Sequence, residues 1–88
     1  MFTLWGKLYK GSRITGDLTV QDPSEDTRTH KVFAALNTIC LHFDLAQPVW
    51  LDTNITEFRR RSRTRFYQDN FMEDVPFDYL EIQILEED

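Results

Sequence analysis

The sequence contains a single cysteine, Cys40, so no disulfide can form within the chain. Cys40 falls on an apolar stripe at helical spacing, which predicts a small buried hydrophobe, because a reactive thiol needs an exposed, electropositive site. A small domain without disulfides is typical of a reducing compartment. The chain also has no basic leader and no long apolar run, so we expect neither a signal peptide nor a membrane span. These absences favour a cytoplasmic protein.

Familiar catalytic and cofactor-binding motifs are absent as well. There is no glycine-rich phosphate loop, no Cys-x-x-Cys pair and no nucleophile motif. His30 follows Asp26 by four residues, as in a surface pair on a helix, and His42 flanks the apolar stripe. The histidines and Cys40 share no helix face, so they predict no metal site. We therefore expect no enzyme active site and no cofactor.

Basic residues are missing from the last twenty positions, although the net charge of the whole chain is only −5. Residues 1–68 carry ten basic and seven acidic groups, net +3, whereas residues 69–88 carry eight acidic groups, net −8. The basic block includes five arginines within seven residues: Arg59, Arg60, Arg61, Arg63 and Arg65. Opposite blocks predict either internal pairing or separate partners. We favour pairing with the neighbouring acids Glu57, Asp69, Glu73 and Asp74 and with the C-terminal acids, although Glu86-Glu87-Asp88 itself is predicted to be a solvated tail.

The chain does contain enough apolar material for one packed domain. Its 88 residues are 41% hydrophobic and 14% aromatic. A chain of this length buries roughly 60–65% of the surface that its unfolded form exposes, so it can fold alone with modest stability. No repeat, low-complexity segment or linker interrupts it. We therefore predict a single domain over residues 1–88.

Period-two alternation predicts three strands. Phe2, Leu4 and Leu8 mark the first strand, and Ile14, Leu18 and Val20 mark the second. The turn Lys10-Gly11-Ser12 joins these two strands as an antiparallel hairpin. Gly16, at an inward position, predicts a bulge or a place where a bulky neighbour needs room. The third strand is marked by Leu80, Ile82 and Ile84.

Helical spacing predicts two helices between the hairpin and the last strand. The first covers residues 22–45, with Asp22 as N-cap, Pro23 at the first helical position and Glu25 completing a capping box. Its core stripe consists of Val32, Leu36, Ile39 and Phe43. Its other side carries Ala34, Thr38, Leu41 and Leu45, which predicts that the second helix, or a partner, covers this side. The second helix runs from Thr53 to Thr64 or Phe66, with Asn54 and Glu57 as a capping box and Glu57 paired with Arg61.

The predicted architecture is an α+β domain in the order β-β-α-α-β. It is a three-stranded antiparallel sheet with both helices packed on one face. The even-numbered strand residues then face the helices, and the aromatic residues Trp5, Tyr9 and Tyr79 point outward. Exposed aromatic residues on a sheet can stack on bases or anchor a protein, and this face could join two copies in a homodimer. An alternative is that the segment 66–77 covers Trp5.

The arginine run and the aromatic sheet face lead to three hypotheses of function. The first is a small non-enzymatic interaction or regulatory protein, with a protein partner. The second is a nucleic-acid-binding protein that contacts phosphates through Arg60, Arg61 and Arg63, which point to solvent on the predicted helix. The third is an inhibitor whose acidic surface mimics nucleic acid. No membrane partner is expected.

A resemblance to a known group is carried by three segments. They read Val49-Trp50-Leu51-Asp52-Thr53-Asn54-Ile55, Thr64-Arg65-Phe66-Tyr67-Gln68-Asp69-Asn70-Phe71 and Asp78-Tyr79-Leu80-Glu81-Ile82. These stretches resemble parts of small bacterial proteins that have no assigned function, and the similarity covers most of the chain. The resemblance implies a bacterial cytoplasmic protein and brings no activity, cofactor or catalytic residue.

Overall fold

The computed structural model describes residues 1–87 and shows an α+β fold. The strands are Phe2–Lys10 (β1), Arg13–Asp22 (β2), Arg63–Phe66 (β3) and Tyr79–Glu86 (β4). The helices are Arg28–His42 (α1) and Asp52–Arg61 (α2), and a single 3-10 turn covers Gln68–Asn70. All four strands form one antiparallel sheet in the order β2-β1-β4-β3. The fold class is therefore confirmed, but the predicted three-stranded sheet was one strand short.

The additional strand, β3, was predicted as the end of the second helix. Ser62 takes up left-handed backbone angles (φ 54°, ψ 32°), which end α2 and let the chain turn into β3. Along β3 the side chains alternate, with Arg63 and Arg65 exposed and Thr64 and Phe66 fully buried. Phe66 also fits the helical spacing from Phe58, and a segment of four residues is too short for the two periods to be separated.

The start of α1 also differs from the prediction. Thr27 is the N-cap, and its hydroxyl oxygen accepts a hydrogen bond from the His30 N–H at 3.2 Å. Asp22 instead ends β2 opposite Phe2, and its carboxylate accepts from the Ser24 N–H at 2.8 Å. Asp22 and Thr27 are both favoured N-cap types, so residue type alone does not choose between them. The length of the hairpin decides which residue is the N-cap, because β2 continues to Asp22 and α1 can begin only after it.

The β1–β2 hairpin forms as predicted, except that its bulge places Ile14 opposite Tyr9, on the face away from the helices rather than the predicted inward face. Its turn residues Gly11 and Ser12 both have φ of 56°, the combination found in tight two-residue hairpin turns. The register shifts next to Leu8, so β2 has a bulge at this point. A Cβ atom on Gly16 would lie 3.0 Å from the ring of Phe43, so the glycine makes room for that ring. Both predicted roles of Gly16 are therefore observed.

The hydrophobic core lies between one face of the sheet and the two helices. α1 packs on β1 and β2, and α2 lies beside β3. The fully buried apolar side chains are Phe2, Leu4, Leu36, Ile39, Cys40, Phe66, Leu80 and Ile82. Trp50 connects the helices, because its ring packs edge-on against Phe33, Phe58 and Phe66 at centroid distances of 5.7, 5.5 and 5.1 Å. Burial raises the pKa of the Cys40 thiol to about 11, which keeps it protonated at neutral pH.

One side of α1 is left uncovered by the rest of the fold. α2 approaches the side of α1 that carries Thr29 and Phe33, where the two helices form a groove. Leu41 lies on another side and is 72% exposed. The prediction that the second helix covers Ala34, Thr38 and Leu41 is therefore wrong for these residues, and the alternative of a partner stays open.

A buried hydrogen-bond network fixes β3 against the beginning of α2. Asn54 lies at the third position of α2 rather than at the predicted N-cap, and its Oδ1 accepts from the Leu51 N–H at 3.0 Å. Its Nδ2 donates to Thr64 Oγ1 at 2.9 Å and to the Arg65 carbonyl at 2.8 Å. Asn70 Nδ2 donates to Asn54 Oδ1 at 2.8 Å, which adds the 3-10 turn to the network.

Within residues 1–87, no helix is both long and apolar enough to cross a membrane.

Candidate binding surface

Among the rows of cross-strand neighbours on the face of the sheet opposite the helices, three carry its aromatic residues and paired charges. Residues that pair across antiparallel strands share a face, so the register defines each row. The rows are Thr19–Trp5–Gln83–Arg63, Asp17–Lys7–Glu81–Arg65 and Ile14–Tyr9–Tyr79. We call this surface the open face. Trp5, Tyr9 and Tyr79 lie on it, as the alternation predicts, and their role in binding stays a prediction.

The middle row of the open face is an alternating line of charges. Lys7 and Glu81 are only 5% and 3% exposed although no helix covers them. The Lys7 Nζ lies 2.9 Å from Glu81 Oε2, and the Arg65 Nε lies 3.2 Å from Glu81 Oε1. Burial acts to raise the pKa of Glu81, but the hydrogen bonds and charges of Lys7 and Arg65 outweigh burial and lower it. Glu81 is therefore ionised at neutral pH.

Aromatic rings lie over these charges. The Lys7 Nζ is 3.9 Å from the centroid of the Trp5 ring, and the Trp5 Nε1 donates to Asp17 Oδ2 at 2.8 Å. Tyr9 and Tyr79 stack with their centroids 4.7 Å apart. These contacts are cation–π and stacking interactions, which hold the rings in fixed positions. The aromatic side chains of the open face are thus already held in position without a partner.

Sequence reasoning missed two members of this surface. Tyr67, just after β3, is 49% exposed, and its ring centroid lies 5.4 Å from that of Tyr79. The Arg65 guanidinium lies 4.6 Å from the centroid of Tyr79. The signal was the alternation of Arg63, Arg65 and Tyr67, which is typical of a strand. The segment 66–77 therefore extends the open face through Tyr67, and it packs Phe71 and Phe77 into the core.

Four exposed arginines lie at the end of α2 and the start of β3: Arg59, Arg60, Arg61 and Arg63. We call them the arginine edge. Considering residues 1–87, none of the four forms an ion pair within 4.0 Å or a side-chain hydrogen bond. Among residues 1–87, the predicted neutralisation of the run by internal acids is observed as an ion pair only for Arg65, which pairs with Glu81.

The acids that were expected to pair with the arginine edge have other partners. Glu57 accepts from the Thr64 hydroxyl at 2.8 Å, and it forms no ion pair with Arg61 within 4.0 Å. Glu73 accepts from the Ala46 N–H at 3.2 Å, and Glu87 pairs with Arg28 at 3.2 Å. Glu86 ends β4, and both Glu86 and Glu87 are exposed, as predicted for a solvated tail. Asp88 lies outside the described residues.

A polar pocket of about 210 Å³ lies where the arginine edge meets the open face. Its lining consists of Glu57, Arg61, Arg63, Arg65, Tyr67 and Glu81. Guanidinium groups match the planar geometry of carboxylate and phosphate oxygens, so the pocket has the donors that an oxyanion needs. Of its two carboxylates, Glu81 is compensated by Lys7 and Arg65, and Glu57 accepts the bond from Thr64.

The residues considered for catalysis have the ordinary surroundings that the sequence predicts. His30 Nδ1 lies 2.9 Å from Asp26 Oδ1 on the exposed surface of α1, and the ring of His42 packs against Phe43. Within the described part of the chain, no group of three or more His, Cys, Asp or Glu side chains is placed to hold a metal ion.

Comparisons with models of known protein families, with curated proteins and with solved structures gave no match. The resemblance to small bacterial proteins therefore stays a prediction.

Proposed function

We propose that this protein is a small interaction protein whose partner contacts the arginine edge and the adjoining open face. The observation that carries the proposal is that, among residues 1–87, Arg59, Arg60, Arg61 and Arg63 form no ion pair within 4.0 Å. Like charges that lie close together without a counter-charge repel each other, so an anionic partner gains binding energy by neutralising them. We place the protein in the bacterial cytoplasm, in keeping with its single cysteine.

The dipole of α2 explains only part of this cluster. Basic residues in the last turn of a helix are favourable because they lie near its negative end, and Arg59, Arg60 and Arg61 occupy that turn. Arg63 lies beyond the helix, on β3, and points to the same region as the aromatic residues of the open face. A purely helical role does not account for Arg63.

Nucleic acid is the second candidate partner, and one observation favours it. Arginine and tyrosine side chains alternate at the β3 side of the open face, with Arg65 over the Tyr79 ring and Tyr67 half exposed beside it. Single-stranded nucleic acid is bound by this combination, since arginines contact phosphates and aromatic rings stack on bases. The acidic-inhibitor hypothesis stays a prediction.

Binding of fluorescent probes tests the proposal directly. The probes are single-stranded and duplex DNA and RNA and an acidic peptide, measured by anisotropy at low and high salt. Binding should be lost in Arg60→Glu with Arg61→Glu and kept in the charge-matched control Lys10→Glu with Arg13→Glu, which alters the hairpin instead. Affinity capture with both variants extends the test to partners that the probes do not represent.

The outcomes separate the alternatives. Preference for single strands, with affinity that falls steeply as salt rises, supports nucleic acid. Capture of one acidic protein that depends on Arg60 and Arg61 supports a protein partner. If no probe binds and the captured proteins are the same for both variants, the arginine edge is not a binding surface.

A further inference from the structure

We infer that the outer edge of β2 pairs with β2 of a second copy, so that two sheets join into one antiparallel sheet of eight strands. This surface is separate from the arginine edge, which lies at the opposite side of the sheet, and the inference does not depend on the proposed function. It also differs from the homodimer predicted through the open face, because the contact is made by backbone groups along a strand.

The hydrogen-bond pattern shows which groups of β2 point away from the sheet. The Tyr9 carbonyl accepts from the Asp78 N–H, on the β4 side of β1, at 2.8 Å. Residues along an antiparallel strand direct their backbone groups alternately to one neighbour and the other. Odd-numbered residues of β1 therefore bond to β4 and even-numbered ones to β2, where Gly6 faces Leu18 and Leu4 faces Val20.

It follows that three residues of β2 direct their N–H and C=O groups outward: Asp17, Thr19 and Gln21. Considering residues 1–87, β2 is a terminal strand of the sheet, so no strand lies on that side. Asp17, Thr19 and Gln21 are exposed. The edge therefore presents a regular series of donors and acceptors to another strand.

β2 has few of the features by which proteins usually protect a sheet edge. Such edges are short, carry charges or Pro, contain a bulge, or are covered by other groups. β2 has 10 residues with neither Lys nor Pro, and its bulge at residues 14–16 leaves the rest of the strand regular. The other edge strand, β3, has only four residues, and its outward Arg65 carbonyl is occupied by Asn54 Nδ2. The β3 edge is therefore short and partly occupied, whereas the β2 edge has backbone groups available for pairing.

The sequence of β2 is complementary to itself around Thr19. If Thr19 faces the partner's Thr19, Asp17 faces the partner's Gln21, and Leu18 faces the partner's Val20. The odd pairs exchange backbone hydrogen bonds, and the Leu18–Val20 pairs bring half-buried apolar side chains together. No like charges are opposed. A two-fold axis at Thr19 thus satisfies hydrogen bonding, packing and charge together.

Disulfide formation by Thr19→Cys tests the register. Directly opposed residues in a hydrogen-bonded antiparallel pair have Cα atoms about 5.5 Å apart, within the roughly 4.4–6.8 Å that a disulfide spans. The native Cys40 does not interfere, because it is buried and burial raises its pKa to about 11. Thr56→Cys, on the exposed surface of α2, is the matched control. Mild oxidation should cross-link the Thr19→Cys protein and not the control.

Sedimentation and light scattering over a dilution series test the interface in the native sequence. We expect a dimer that dissociates on dilution. Thr19→Pro, which removes the N–H at the two-fold axis, should shift the chain to monomer while the circular dichroism spectrum stays unchanged. Arg60→Glu with Arg61→Glu should leave the dimer intact.

Two results would overturn the inference. One is a wild-type chain that stays monomeric at every concentration while the two cysteine variants cross-link equally slowly. The other is a dimer that survives Thr19→Pro, since such a dimer uses a different surface.

Discussion

The Nζ of Lys7 lies 2.9 Å from Oε2 of Glu81 on the side of the sheet that no helix covers, yet both side chains are nearly inaccessible to water. Trp5 covers the ammonium group, and Arg65 and Gln83 complete the polar surroundings of the pair. A buried ion pair contributes little net stability compared with an apolar pair, but breaking one is costly because it leaves a buried charge alone. The stability of the open face therefore depends on the carboxylate of Glu81, because removing it would leave the ammonium group of Lys7 buried without its counter-charge.

Glu81→Gln should therefore destabilise the protein at neutral pH. We expect a loss of about 3 kcal/mol in the free energy of unfolding, at the low end for a broken buried pair, because Lys7 keeps the weak contact with Gln83. Asp17→Asn is the control, since position 17 is exposed and the amide oxygen of the new side chain can still accept the hydrogen bond from Trp5. This substitution should cost under about 1 kcal/mol. Urea titration at pH 7 measures both. Equal stabilities of the two variants would contradict the role of Glu81.

The same pair should make stability depend on pH. The pKa of Glu81 in the folded protein lies below its ordinary value of 4.5. A lowered pKa means that the stabilisation is fully present above that ordinary value and is lost as pH falls through the folded-state pKa. Urea titrations from pH 6 to pH 3 should show a steeper loss of stability for wild type than for Glu81→Gln. Parallel curves would mean that other carboxylates govern the acid response.

The two sides of α1 should respond differently to truncation. Leu36→Ala removes a side chain that is fully buried, so it should cost about 2–5 kcal/mol. Leu41→Ala should cost under about 0.5 kcal/mol in dilute solution, where the chain is monomeric, because Leu41 is exposed. Denaturant titration at low protein concentration measures both. A near-neutral Leu36→Ala would contradict the assignment of the core face.

The sequence predicts the hairpin, the core stripe of α1 and the last strand because each repeats one period over enough residues. It fails at β3, where four residues fit both the period of a strand and that of a helix. This single error also misplaced the arginines: Arg63 and Arg65 were assigned to a helix surface, whereas they lie on a strand beside Tyr79. The pairing of Lys7 with Glu81 was out of reach, because it depends on β4 lying next to β1.

Asn54→Ala tests the buried network that holds β3 in place. Asn54 is 4% exposed and bonds to Leu51, Thr64, Arg65 and Asn70. Its removal leaves several buried polar groups without partners, each costing roughly 1–3 kcal/mol. We expect a loss of about 3 kcal/mol, with faster amide exchange in β3 than in β1 by NMR. The control Thr53→Ala, at the exposed neighbour, should change little. Uniform loss of protection across all strands would argue against a local role.

The arginine edge should contribute almost nothing to folding, which distinguishes it from Arg65. Arg60→Gln with Arg61→Gln removes two charges from the last turn of α2, so it loses a favourable interaction with the helix dipole and relieves the repulsion among neighbouring arginines. The two effects oppose each other, and we expect a change below about 0.5 kcal/mol that shrinks as salt screens the charges. Arg65→Gln should lower the free energy of unfolding by about 1 kcal/mol, because it removes the hydrogen bond that Arg65 Nε donates to buried Glu81. Urea titrations at low and high salt measure both variants. A large, salt-sensitive loss in the double variant would show that Arg60 and Arg61 act within the fold, and the argument for an external partner would then fail.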